Sequence, residues 1–167
     1  MTCRDDDYKK PPVTTSSQRA RARGIILAAE DDPSDALLLK RTFARAGLDR
    51  ATVIVRDGQE AIDYLEGNPP FNDRLLCPPP VLLLLDAKMP RRSGFEVLEW
   101  LQRQPKEKQI PAFLFTSAIS SDDLKRSLEL GARYCLTKPF DIADWVAVVQ
   151  TLRDHLPPLL EATATES

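Results

Sequence analysis

Acidic residues stand at two separated places in the chain, each directly after an apolar run: Glu30, Asp31 and Asp32 follow residues 24–29, and Asp86 follows residues 81–85. Two further runs end in complementary groups, Thr116 and Ser117 after residues 112–115 and Lys138 with Pro139 after residues 133–137. Brought together, two or three ionised carboxylates about 4 Å apart repel by roughly 4 kcal/mol per pair at an effective dielectric near 20. A positive partner must offset that. An all-oxygen donor set with room for water suits Mg²⁺, while a lysine ammonium and a hydroxyl add a point charge and a donor for a phosphoryl group. The chemistry these residue types could perform together is the placing of phosphate on a carboxylate.

The elements that would have to position them are legible as alternation. Strand patterns at 24–29, 51–56, 81–85, 112–115 and 133–137 are each followed by helix-start chemistry: Asp32 before Pro33, Asp57 with Glu60, Ser93 with Glu96, Ser120 with Asp123, and Asp141 before an apolar helix at 142–152. Repeated strand–helix units imply parallel strands joined by right-handed crossovers. Residues 81–85 are apolar throughout, as a central strand covered on both faces requires. The expected class is therefore α/β, a doubly wound five-stranded parallel sheet with the flavodoxin-like strand order 2-1-3-4-5, in which ligands bind at the carboxyl ends of the strands. That edge collects Glu30, Asp31, Asp86, Thr116 and Lys138. Asp32 reads as a helix cap.

Composition narrows the alternatives. The 167 residues suit one domain, and 43% apolar with 29% charged residues is ordinary for a globular chain. Residues 1–23, nearly free of large apolar side chains and carrying a net charge of +3, read as a disordered tail; the remainder carries -5, and residues 157–167 read as a polar C-terminal tail. The domain expected between them is 24–156. No secretory h-region and no membrane span is evident, so a cytoplasmic protein is expected. The formal charge of -2 gives no field for nucleic acid. Cys3, Cys77 and Cys135 are odd in number and lack CxxC spacing, which disfavours a disulfide framework or zinc site and favours a reducing compartment. The single histidine, His155, cannot build a multi-histidine metal site. Neither GxGxxG nor GxxxxGK occurs.

Glu30-Asp31, Leu85-Asp86, Met89-Pro90, Ser93-Gly94, Phe115-Thr116 and Thr137-Lys138-Pro139 together resemble the receiver domain of two-component response regulators. The stretches 30–35, 56–61 and 94–98 are similar to single-domain regulators that serve bacterial phytochrome kinases. The resemblance implies that Asp86 accepts a phosphoryl group from a sensor histidine kinase. It also implies that Asp31, Asp86 and the backbone carbonyl of Lys88 bind Mg²⁺, that Glu30 acts through water, and that Thr116 and Lys138 engage the phosphoryl oxygens. It implies a stand-alone phosphoacceptor signalling protein rather than an enzyme, working through altered protein contacts and a homodimer formed by helix 4, strand 5 and helix 5.

One departure from the family is visible. The aromatic usual three residues before the active-site lysine is replaced by Cys135, and the neighbouring Tyr134 should face the opposite side of the sheet. Eight of the eleven residues at 142–152 are apolar, more than one core stripe needs, which leaves either a self-associating surface or a cover formed by residues 156–160. The proline-rich segment 67–80 should lie at the edge opposite the acids. Eleven residues after Leu156 are too few for a DNA-binding module. Two competing readings are a receiver-like adaptor that is not phosphorylated in use and an aspartate-nucleophile phosphatase. The second expects an acid two residues after the nucleophile, where Lys88 stands.

Overall fold

Short polar side chains set where the helices begin. Asp32 accepts the backbone N–H groups of Ser34 (2.8 Å) and Asp35 (3.0 Å) and starts α1 (Pro33–Arg45). Asp57 accepts from Gln59 and Glu60, both at 2.9 Å, at the head of α2 (Gly58–Glu66). Ser93 and Glu96 form a reciprocal capping box on α3 (Gly94–Gln102), and Ser120 accepts from the N–H of Asp123 on α4 (Ser121–Glu129). Each cap satisfies donors that a helix start leaves open, worth about 1 kcal/mol apiece. In this computed structural model, which describes residues 25–156, the helices alternate with β1 (Ile25–Ala29), β2 (Thr52–Val55), β3 (Pro80–Asp86), β4 (Ala112–Thr116) and β5 (Tyr134–Thr137), and end with α5 (Trp145–Arg153). The tails expected at 1–23 and 157–167 lie outside the described residues.

All strands pair in parallel in the order β2-β1-β3-β4-β5, as expected. Side-chain alternation divides the core into two layers. Leu27, Ala29, Leu83, Leu85, Ala112 and Leu114 pack with Tyr64 of α2 and Val97 and Leu98 of α3. Ile26, Ala28, Leu82, Leu84, Phe113 and Phe115 pack with Leu39 and Phe43 of α1 and Trp145, Val148, Val149 and Leu152 of α5. The central β3, buried at six of its seven positions, serves both layers, which is why its sequence is apolar without alternation. The segment 67–80 joins the end of α2 to the start of β3, away from the carboxyl ends of the strands. There Phe71 packs on Tyr64 (ring centroids 5.1 Å) while Leu75 is exposed.

Two features differ from the sequence expectation. The helix expected at 142–152 is broken: a 3₁₀ turn, Ile142–Asp144, precedes α5. Asp141 caps that tight turn, its side chain accepting from Ala143 N–H (3.2 Å) and its carbonyl from Asp144 N–H (3.1 Å), an i to i+3 closure that an α-helix does not use. Of the surplus apolar residues, Trp145, Val148, Val149 and Leu152 are buried, and Ala143, Val146 and Ala147 face outward. Leu156 joins the α5 core; residues 157–160 lie outside the described residues. The second difference is that Cys77 is buried and disulfide-bonded. Cysteine spacing along the chain does not report which sulfurs the fold brings together, so the odd count was no guide to pairing.

Candidate functional site

The sheet register delivers the chemistry-bearing residues to one edge. Ala29 is level with Leu85, Asp86 with Phe115, and Thr116 with Thr137. Glu30, Asp86, Thr116 and Lys138 therefore arrive together at the carboxyl ends of four adjacent positions. Alternation sorts them further. Glu30 continues the side of Ile26 and Ala28, Asp86 that of Leu82 and Leu84, and Lys138 that of Leu136, all toward the α1 and α5 layer. Thr116 continues the side of Leu114, toward the other layer.

Lys138 is the hub. Its Nζ lies 2.7 Å from Glu30 Oε2, 2.8 Å from Asp86 Oδ2 and 2.8 Å from Asp35 Oδ2; it donates hydrogen bonds to the two aspartates and forms an ion pair with Glu30, whose Oε2 has no hydrogen-bond partner. Burial alone would lower the Lys138 ammonium, but hydrogen bonds to Asp35 and Asp86 and the negative charge of Glu30 outweigh it and hold the group above the ordinary lysine value. Burial raises the Glu30 carboxyl to about 7, against the pull of Lys138 in the other direction. Asp35 was not singled out from the sequence. Its signal was positional: it stands in the first turn of the helix that starts at the site's edge, on the layer that Glu30, Asp86 and Lys138 face.

Carboxylate oxygens of Glu30, Asp31 and Asp86 lie within 4.8 Å of one another. Glu30 and Asp86 are buried and Asp31 is exposed. This is an all-oxygen set open to water on one side, the donor chemistry that a hard divalent cation takes. Lys88 N–H donates to Asp86 Oδ1 (3.1 Å), fixing the carboxylate, while the Lys88 side chain stands exposed. Thr116 is buried, and its hydroxyl donates to the Ala118 carbonyl (3.1 Å). Asp32 serves as the cap expected of it.

The loop from Asp86 to α3 is held by contacts that sequence reasoning missed. Arg91 has a left-handed backbone (φ 61°), and its guanidinium pairs with the buried Asp57, Nε donating to Oδ2 at 2.8 Å. Arg92 donates from Nε to Gln59 Oε1 (3.0 Å), and its carbonyl accepts Gly58 N–H (3.1 Å). A Cβ on Gly58 would meet that carbonyl oxygen at 2.2 Å, and a Cβ on Gly94 would meet the Asp86 carbonyl oxygen at 2.3 Å. The two glycines let the heads of α2 and α3 close on this loop.

The family described as response regulator receiver domain matches residues 26–150. The chain belongs to this family. Among curated relatives, the probable methanogenesis regulatory protein FilR2 of Methanothrix harundinacea is 32% identical over 131 residues, 78% of this chain and 82% of the relative. The solved structure of response regulator RPA3017, in red light signaling of R. palustris, is 32% identical with a TM-score of 0.71, covering 77% of this chain and 90% of its own. The Mn(2+)-bound form of response regulator Rcp1, a Synechocystis protein, is 30% identical with a TM-score of 0.69, covering 80% of this chain and 99% of its own.

Within the receiver family, signalling by phosphoryl acceptance is the shared function, and an adaptor that is never phosphorylated is the poorer fit to this site. The departure noted at β5 is real in three dimensions. Tyr134 stacks on Phe113 (5.3 Å) and meets His155 edge-on (5.0 Å), on the α5 side. His155 lies just beyond α5, its Nδ1 2.9 Å from the Thr151 carbonyl. Cys135 faces the other layer beside Ser127 of α4, and burial raises its thiol above the ordinary value. No register shift separates β4 from β5. The position three residues before Lys138 therefore carries a small thiol and no ring. No described helix is long and apolar enough to cross a membrane.

Proposed function

We propose that Asp86 is the phosphoacceptor: a carboxylate oxygen of Asp86 attacks the phosphorus of a phosphohistidine donor, the P–N bond breaks, and an acyl phosphate forms. The supporting observation is the convergence of Asp86 with Lys138 at 2.8 Å and with the oxygens of Glu30 and Asp31. Phosphoryl transfer asks the protein for positioning and charge neutralisation more than covalent help. Lys138 supplies a buried cation for the phosphoryl oxygens, Thr116 a hydroxyl, and Lys88 N–H a fixed orientation of the acceptor. Asp31, Asp86 and the Lys88 carbonyl would hold Mg²⁺, with Glu30 acting through water; the ion, when bound, neutralises charge on the transferring group. The donor is a sensor histidine kinase. A bacterial phytochrome kinase is proposed because the related RPA3017 functions in red light signaling.

Output runs through protein contacts in a cytoplasmic setting, without nucleic acid. We assign a homodimer to the α4, β5 and α5 face, where β5 is the sheet edge and Leu124, Leu128, Tyr134 and Val146 stand exposed. Acetyl phosphate with Mg²⁺ should add one phosphoryl mass to the wild type and none to Asp86→Asn. No adduct on the wild type would favour the adaptor, and turnover of many phosphoesters the phosphatase. Sedimentation of phosphorylated and unphosphorylated protein showing monomer alone at high concentration would remove the dimer.

A further inference from the structure

We propose that Asp35 is a positioning residue for Lys138: it holds the ammonium toward α1 and shares its charge, so that Glu30 and Asp86 remain able to take up a divalent cation. The inference rests on the reading of Asp86 as a phosphoacceptor beside a cation site.

Three carboxylates meet one ammonium, and they are not equivalent. Glu30 and Asp86 belong to the oxygen cluster with Asp31; Asp35 does not. Both cluster members already spend oxygens on other donors, Glu30 Oε1 on Asp32 N–H (3.3 Å) and Asp86 Oδ1 on Lys88 N–H (3.1 Å), and each gives its second oxygen to Lys138. A lysine with only those two partners would compete with any metal ion for the same two carboxylates, and its charge would repel the ion. Asp35 changes that balance from the opposite side. Its carboxylate reaches Nζ from α1 at 2.8 Å. Its backbone is fixed because Asp35 N–H donates to the Asp32 cap at 3.0 Å. The cap thus does more than start a helix: it aims Asp35 at the lysine. Lys138 is nearly buried, with its Nζ 5.8 Å from the Phe115 ring centroid, so water contributes little to its neutralisation. When Asp86 becomes an acyl phosphate its carboxylate charge is lost to Lys138, and Asp35 and Glu30 still anchor the amine.

The test is Mg²⁺ affinity of the full-length protein, read from amide shifts in an NMR titration, for wild type, Asp35→Asn, Lys138→Met and the double variant. With Lys138 present, Asp35→Asn should weaken Mg²⁺ binding by about two- to fivefold, the range for a partly exposed ion pair, and Asp35→Glu should restore it. In the Lys138→Met background the same substitution should change affinity by less than about twofold. Unchanged affinity in Asp35→Asn overturns the proposal. So does equal weakening in both backgrounds, which would mean that Asp35 acts on the ion directly. A wild type that binds Mg²⁺ as expected yet takes no phosphoryl group would fault the phosphoacceptor reading and leave this one standing.

Discussion

Replacing Lys138 with methionine removes the cation that pairs with Glu30 and Asp86, whose side chains are only 1% and 10% exposed. Breaking a buried pair by deleting one partner costs about 3–5 kcal/mol, because the surviving charge has nowhere to go. Here one survivor has an escape. The Glu30 carboxyl already sits at about 7, so near neutral pH it takes up a proton instead of remaining ionised beside Asp86. The third pair, to the 37% exposed Asp35, is screened by water and adds about 0.5 kcal/mol. The expected loss is therefore about 3 kcal/mol in metal-free protein, a fall of about 1.5 M in the urea midpoint for a slope near 2 kcal/mol/M. Mg²⁺ should reverse much of it, since a cation bound to the native state at about 100 times its Kd contributes about 2.7 kcal/mol and the variant no longer has an ammonium competing for Asp86. Urea denaturation followed with chelator and with saturating Mg²⁺ reads both quantities. A variant within about 1 kcal/mol of wild type in chelator, or equal stabilisation of both proteins by Mg²⁺, would refute the view that lysine and metal are alternative counter-charges for the same acids.

Asp57→Ala removes a cap that accepts two backbone donors and the partner of Arg91, itself half exposed; a loss of about 1–2 kcal/mol is expected by chemical denaturation, with the change concentrated in hydrogen exchange of residues 87–93 and the head of α2. Lys88→Asn withdraws an exposed ammonium two residues from the acceptor and should shorten the acyl phosphate lifetime by about two- to fivefold; an unchanged decay rate removes Lys88 from the mechanism. Glu30 also sets a pH dependence. Its carboxyl rises from 4.5 to about 7 on folding, so the native chain holds the proton more tightly, and the resulting stability is fully present below pH 4.5 and lost as pH rises through 7. Relative to Glu30→Gln, metal-free wild type should lose on the order of 1–3 kcal/mol across that window; a difference that stays flat with pH would show that Glu30 does not titrate there.

Much of this architecture could be read from residue order because local chemistry and global fold agree. Asp32, Asp57, Ser93 and Ser120 each start the helix that their positions announce, and the unbroken apolar run of β3 marks the middle of the sheet. The acid, hydroxyl and lysine positions were legible for the same reason, since parallel strands send all their carboxyl ends one way. What escaped depends on direction and on tertiary contact. Asp35 looks like an ordinary first-turn acid until side-chain parity shows which layer Lys138 faces. The pairing of Arg91 with Asp57 spans 34 positions and needs a left-handed turn at a residue that is not glycine. The break before α5 escaped because an aspartate followed by apolar residues is equally consistent with a 3₁₀ turn and an α-helix.

The parity of β5 also separates two routes out of the site. Lys138, Leu136 and Tyr134 lie along one side of the ribbon, and Tyr134 touches His155 at the far end of α5. Thr116, level with Thr137, shares the other side with Cys135, which abuts Ser127. Lys138 thus shares its flank of this edge strand with the aromatic stack under α5, and Thr116 shares its own with the thiol that meets α4.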